Sequence, residues 1–225
     1  GIVSTSDNFG VSGARPSHPE LLDWLATEFV RGGWKTKPLV KMIMMSSAYQ
    51  QRSGRENVSL AETSNPANTL LWQTRLRRIT SEMVRDRILA TSGQLDRSIG
   101  GSPVPLMARP DGKIIVDMKA LPTPSSHLRR SMYILNRRNY HLSMLATFDQ
   151  PMLVTNCTLR KPAAIVTQAL TMLNDEFVLT QASTFASRVM RETTDPTPTG
   201  HVRKAYHIAL NRTPSSTEID WCVAL

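Results

Sequence analysis

The stretch PAAIVTQALTMLNDEFVLTQASTFASRVMRE, Pro162–Glu192, decides how this chain is read. It is a long helical region, and its one weak point is Asn174–Asp175, where a break is expected. Downstream, TDPTPTG reads as a linker, HVRKAYHIALNR as another helix, and TPSSTEID opens the last one. Upstream, HLSMLATFD is a short helix. Before it, residues 94–126 are loop-like, with Gly100–Gly101 and prolines at 103, 105, 110, 122 and 124. Inside that loop GKIIVDM reads as one short strand. RRSMYILNRR, from Arg129, has the β-branched and aromatic character to pair with it.

The N-terminal third carries repeated helix-start signals. In PSHPELLDWLATEFVRGGW, Pro16–Trp34, Ser17 and Glu20 stand in the S-x-x-E relation of a capping box, with Pro19 in the first turn. Leu21, Leu22, Leu25 and Phe29 follow at helical spacing, and Gly32–Gly33 ends the run. Thr36 is expected to cap KPLVKMIMMSSAY, with Leu39, Met42 and Ile43 on one face. Ile79 and Val84 bracket Thr80 as a hydrophobic staple for SEMVRDRILATSG, which closes at Gly93. Between the second and third of these helices, QRSGRENVSLAETSNPANTLLW is polar and turn-rich, a long surface connection.

The expected fold is therefore mainly α, an irregular multi-helix domain with long loops and at most a small β-hairpin. Residues 1–195 are read as the main helical domain, with helical parts at 80–93 and 140–192, and residues 196–225 as truncated C-terminal helices. The chain starts at Gly1 without a methionine and stops just after a helix start, so it is expected to be a fragment of a longer protein. Any leader or anchor would then lie outside it.

With 225 residues and 40% hydrophobic content the chain can bury a real core. No apolar run approaches the roughly 18 to 20 residues of a membrane span. Cys157 and Cys222 fit no CxxC or CxxCH spacing, which argues against a structural zinc site or covalently attached haem here. Two unpaired thiols and a single disulfide both stay open. The five histidines, His18, His127, His141, His201 and His207, are scattered, so no metal is expected. HExxH, GxSxG and a phosphate-cradling glycine loop are all missing.

The net charge is +9, and of 27 basic residues only seven are lysine, hence twenty are arginine. They cluster at Arg75, Arg77 and Arg78, at Arg85 and Arg87, at Arg129 and Arg130, and at Arg137 and Arg138. A planar guanidinium binds phosphate, sulfate or carboxylate bidentately, so a polyanionic partner is one reading. Pairing with nearby acids such as Glu82 and Asp86 is the other. Nucleic acid ranks lower, because no recognised motif accompanies the charge and only 6% of residues are aromatic.

Several blocks recur together in one family pattern. They are DNFGVSGARPSHPELLDWLATEFVRGGW (Asp7–Trp34), SSAYQQRS (Ser46–Ser53), NTLLWQTRLRRITSEMVRDRILATSGQLDRSIGG (Asn68–Gly101), RRSMY (Arg129–Tyr133), TQALTMLND (Thr167–Asp175) and AYHIALNRTPSSTE (Ala205–Glu218). In order and spacing they resemble the PSD-type C-terminal domain of unknown function in large secreted planctomycete proteins that often carry cytochrome-c-like haem domains. Where relatives have two threonines and a proline before the Gln-Ala-Leu block, this chain has RKPAAIVTQAL. The resemblance implies an extracytoplasmic setting and a parent linked to haem or polysaccharide modules. It carries no catalytic residues. No cofactor is expected in this segment, with haem placed elsewhere in the parent.

The leading expectation is a non-catalytic accessory or interaction domain that holds other domains of its parent, or an acidic or sulfated polysaccharide. Arg78, Arg129, Arg130 and Arg160 are the candidate oxyanion contacts, with His18 and Asp7 nearby. An enzyme acting on sulfated or acidic sugars, a hydrolase or oxidoreductase, is the alternative, with Asp7, His18, Glu20 and Asp149 as its acid–base candidates. Nucleic-acid binding stands third.

Overall fold

The computed structural model describes residues 2–5, 7–51, 53, 63–138, 140–152, 160 and 163–224. Cys157 lies outside the described residues, as does most of the connection after Gln51, while Cys222 is a free, exposed thiol. The fold is mainly α, with eight α-helices and a single two-stranded hairpin among the described residues. The chain divides into two compact units, Gly1–Arg78 and Ile79–Leu225, so residues 196–225 belong to the second unit.

In the first unit α1 (Pro19–Arg31) and α2 (Thr36–Met45) form a helical hairpin. The turn between them needs left-handed backbone at Gly33 (φ 69) and Trp34 (φ 60), and the Trp34 ring meets Phe29 edge-on at 5.3 Å. The expected capping box is not formed. His18 occupies the N-cap position without a side-chain cap, while the Ser17 hydroxyl donates to the Ile2 carbonyl at 3.1 Å and lies 2.9 Å from His18 Nδ1. Pro19 as the first helical residue sets the helix frame one position later than the S-x-x-E spacing requires. Thr36 likewise is the first residue of α2, with Lys35 at the N-cap. That helix stops at Met45, short of the expected Tyr49, because Ser46 turns extended and its hydroxyl takes the Ile43 carbonyl at 2.6 Å.

In the second unit α3 (Ser81–Ser92) begins with Thr80 in the expected N-cap position and closes at left-handed Gly93. Thr80 does not cap through its side chain, since its hydroxyl serves Glu82 instead. The hairpin pairs β1 (Leu106–Ala108) with β2 (Ile114–Val116), antiparallel, with Met107 opposite Ile115. GKIIVDM thus supplies the strand as expected, but its partner is Leu106–Ala108. The RRSMYILNRR segment folds into a 3-10 turn at Ser131–Tyr133 and meets the preceding loop through two isolated bridges, Asp96–Arg129 and Val104–Ile134, not through a strand ladder.

Then come α4 (Ser143–Thr147), α5 (Val166–Asn174), α6 (Glu176–Glu192), α7 (Pro198–Leu210) and α8 (Ser216–Ala224). The break after Asn174 falls where it was expected. Asp175 is extended, and its Oδ1 caps α6 by accepting the Phe177 N–H at 3.0 Å. Ser215 and Glu218 form the reciprocal capping box that Ser17 and Glu20 do not: each backbone N–H donates to the other's side chain, at 2.9 and 3.3 Å.

The core of this unit is Val104, Leu106, Ile134, Leu142, Met144, Leu145 and Val178, and α3 packs on α4 and α6 beside it. One charged side chain is part of that interior. Arg85, only 1% exposed, donates to the carbonyls of Arg129 (2.8 Å) and His127 (2.5 Å) and to Ser131 Oγ (3.3 Å), with its guanidinium 5.3 Å from the Phe177 ring centroid. Its neighbour Asp86 accepts from both the N–H and the hydroxyl of Ser131, at 2.7 and 2.6 Å. Burial pushes the Arg85 guanidinium down to about 10, against the pull of Asp86, so it stays charged at neutral pH. Arg85→Met keeps much of the volume and strands the carbonyl acceptors. Urea denaturation should show a loss of about 3 kcal/mol or more, and a loss under about 1 kcal/mol would contradict the clamp.

Candidate functional site

The candidate oxyanion residues fall in both units: Asp7, His18 and Arg78 in the first, Arg129, Arg130 and Arg160 in the second. In the second unit the donors of Arg129 and Arg160 point at the chain itself. Arg129 is 6% exposed; its guanidinium donates to the Ser102 carbonyl at 2.9 Å and to the Gly100 carbonyl, and lies 3.9 Å over the Tyr133 ring. The Tyr133 hydroxyl accepts the Gly100 N–H at 3.1 Å, which closes the loop onto the RRSMY block from both ends. Arg130 also faces Tyr133, at 5.6 Å, and its Nε is buried without a hydrogen-bond partner among the described residues. At Arg129 the fork geometry expected for an anion is used on backbone carbonyls.

Arg160 reaches Glu82 at 2.6 Å. Burial would raise the Glu82 carboxyl, yet the Arg160 guanidinium, its own backbone N–H and the Thr80 hydroxyl together hold it at about 2, below the ordinary 4.5. Of the acid–base candidates, Asp149 sits in left-handed backbone (φ 64), and its carboxylate accepts the Ala163 N–H at 2.6 Å and approaches Gln168 Nε2 at 3.4 Å. Asp7, His18 and Glu20 are all in the first unit.

Two grooves among the described residues bear on a site. The first, about 390 Å³, runs along one face of α2 and is lined by Thr36, Lys37, Val40, Lys41, Met44 and Met45. The second, about 310 Å³, lies between α4 and α5, with the hydroxyl-bearing Ser143, Thr147, Thr167 and Thr171 on its walls and the Lys113–Asp175 ion pair (2.8 Å) at its edge. Asp175 is its single acidic lining residue and is already held by Lys113 and the α6 cap, which leaves no free base there. Among the described residues no group of three or more His, Cys, Asp and Glu side chains is placed to hold a metal ion, and no helix is long and apolar enough to cross a membrane.

Large apolar side chains on the first unit's hairpin remain outside any core. Neither α1 nor α2 has a buried residue, although Leu21, Leu22, Trp24 and Val30 on one and Val40, Ile43, Met44 and Met45 on the other are large and apolar. Trp34, between them, is 69% exposed. The helical spacing of these residues was visible in the sequence; that no core covers them was not.

The chain belongs to the PSD1 family, described as a protein of unknown function (DUF1553), whose model matches residues 1–225. No curated protein and no solved structure matches it.

The Glu82–Arg160 pair has a defined pH signature. With its folded-state value depressed, the stabilisation from Glu82 is present above about 4.5 and is lost as pH falls towards 2. In Arg160→Gln the Glu82 carboxyl should titrate nearer its ordinary range, read from its side-chain carboxyl carbon by NMR. An unchanged midpoint would show that Arg160 does not set it.

Proposed function

We propose that this chain is a non-catalytic interaction domain of a longer extracytoplasmic protein, working beside haem or polysaccharide-directed modules. The observation that carries the reading is the α1–α2 hairpin, whose amphipathic helices leave their apolar side chains exposed. Large apolar side chains left exposed are costly in water and mark a place where protein meets protein. The setting outside the cytoplasm and the neighbouring modules rest on the family resemblance.

The arrangement of the second unit supports the same reading. Its arginines hold loops and helix ends together, so it serves as a rigid base rather than as an anion receptor. Arg87 donates to the Ala209 carbonyl at 2.7 Å near the end of α7, and Arg188 donates to the Ala90 and Thr91 carbonyls near the end of α3. An acidic or sulfated polysaccharide is kept as a second reading, because the net charge of +9 gives any polyanion a favourable long-range field.

Hydroxyl-radical footprinting tests the docking reading. In the isolated chain Trp34, Met44 and Met45 should oxidise quickly; within the longer protein they should be protected several-fold, with Met190 on α6, also exposed, as the internal reference. Equal oxidation in the two proteins would contradict it.

A further inference from the structure

We infer that the groove along α2 receives an acidic amphipathic helix from a partner polypeptide; this rests on the docking reading and names the chemistry of what docks. The groove wall is apolar along Val40, Met44 and Met45, and Lys37 and Lys41 stand four residues apart on the same side. Methionine adapts its shape to an incoming side chain, and lysine stems cover apolar surface while their ammonium groups reach past it. Together these are the features of a groove that takes a helix by its apolar face and meets charge at its flanks.

The sign of the partner follows from the charges. From Phe29 to Arg55 the sequence has no acidic residue, yet it holds Lys35, Lys37, Lys41, Arg52 and Arg55, besides Arg31, which pairs with Glu28. Neither Lys35, Lys37 nor Lys41 has an ion-pair partner among the described residues. Elsewhere the chain prefers arginine and turns several of them onto its own carbonyls, whereas three of its seven lysines gather here. A partner helix with Glu or Asp beside its apolar stripe would be attracted and oriented by this edge, and a basic one repelled.

The test uses a dye-labelled peptide of about 18 residues, long enough to be helical, with leucine at i, i+3, i+4 and i+7 and glutamate on the flanks. Its twin carries lysine in place of glutamate. Fluorescence anisotropy should show the acidic peptide binding the whole chain and the basic twin failing to bind. Met44→Glu should weaken binding by roughly tenfold or more with unchanged circular dichroism, since Met44 is exposed. Lys37→Glu with Lys41→Glu should transfer the preference to the basic twin.

Equal binding of both peptides overturns the inference. So does binding to phosphatidylcholine–phosphatidylserine vesicles without peptide binding, which would point to a lipid surface. Protection of Met44 and Met45 in the longer protein without binding of the acidic peptide would overturn this inference alone and leave the docking reading standing.

Discussion

The buried guanidinium of Arg85 is the constraint on which the second unit depends. Moving a cation out of water costs several kcal/mol, recovered only when its donors meet well-placed acceptors. Here the acceptors are the carbonyls of His127 and Arg129 and the Ser131 hydroxyl, all in one irregular segment. That segment has no regular ladder of its own, so Arg85 and Asp86 on α3 supply the hydrogen bonds that strands or a helix would otherwise provide. Once held, it delivers Ile134 to the Val104 bridge and to the core, and it places Arg129 where it can tie down Gly100 and Ser102.

The same economy of charge recurs across the unit. Helix ends leave carbonyls without partners, and arginines from neighbouring helices take several of them: Arg188 at the end of α3, Arg87 near the end of α7. Gly93 belongs to this pattern, because it is left-handed (φ 81) and a Cβ there would meet the Arg188 side chain at 3.4 Å. A chain of strongly basic composition thus turns several of its arginines onto its own backbone, while its first unit leaves large apolar side chains exposed.

How much of this is legible in the sequence depends on how local the determining contact is. The break at Asp175, the closure of α3 at Gly93 and the strand in GKIIVDM are set within a few residues, and all three were readable. Ser17–Glu20 and Ser215–Glu218 spell the same box, yet only the second forms, because Ser17 is claimed by Ile2, fifteen residues away. Arg85 had a faint signal: with Ser81, Leu89 and Ser92 it forms the buried stripe of α3, so an arginine shares the spacing of core positions. For Arg129 the fork was recognised, but the acceptor was not, since backbone carbonyls 27 and 29 residues away leave no mark in composition. The exposed hairpin is the hardest case: amphipathic spacing predicts that a face will be covered, not which molecule covers it.

The central claim is that the RRSMY arginines hold the fold together and do not form an anion receptor. Replacing Arg129 and Arg130 together by lysine preserves charge and removes the planar fork. Thermal unfolding and binding to a sulfated polysaccharide at low salt, measured on the same double variant, separate the two roles. The account predicts a melting temperature lowered by several degrees, at about 2–4 °C per kcal/mol for a chain of this size, with any polysaccharide binding unchanged. An unchanged melting temperature together with lost binding would contradict it.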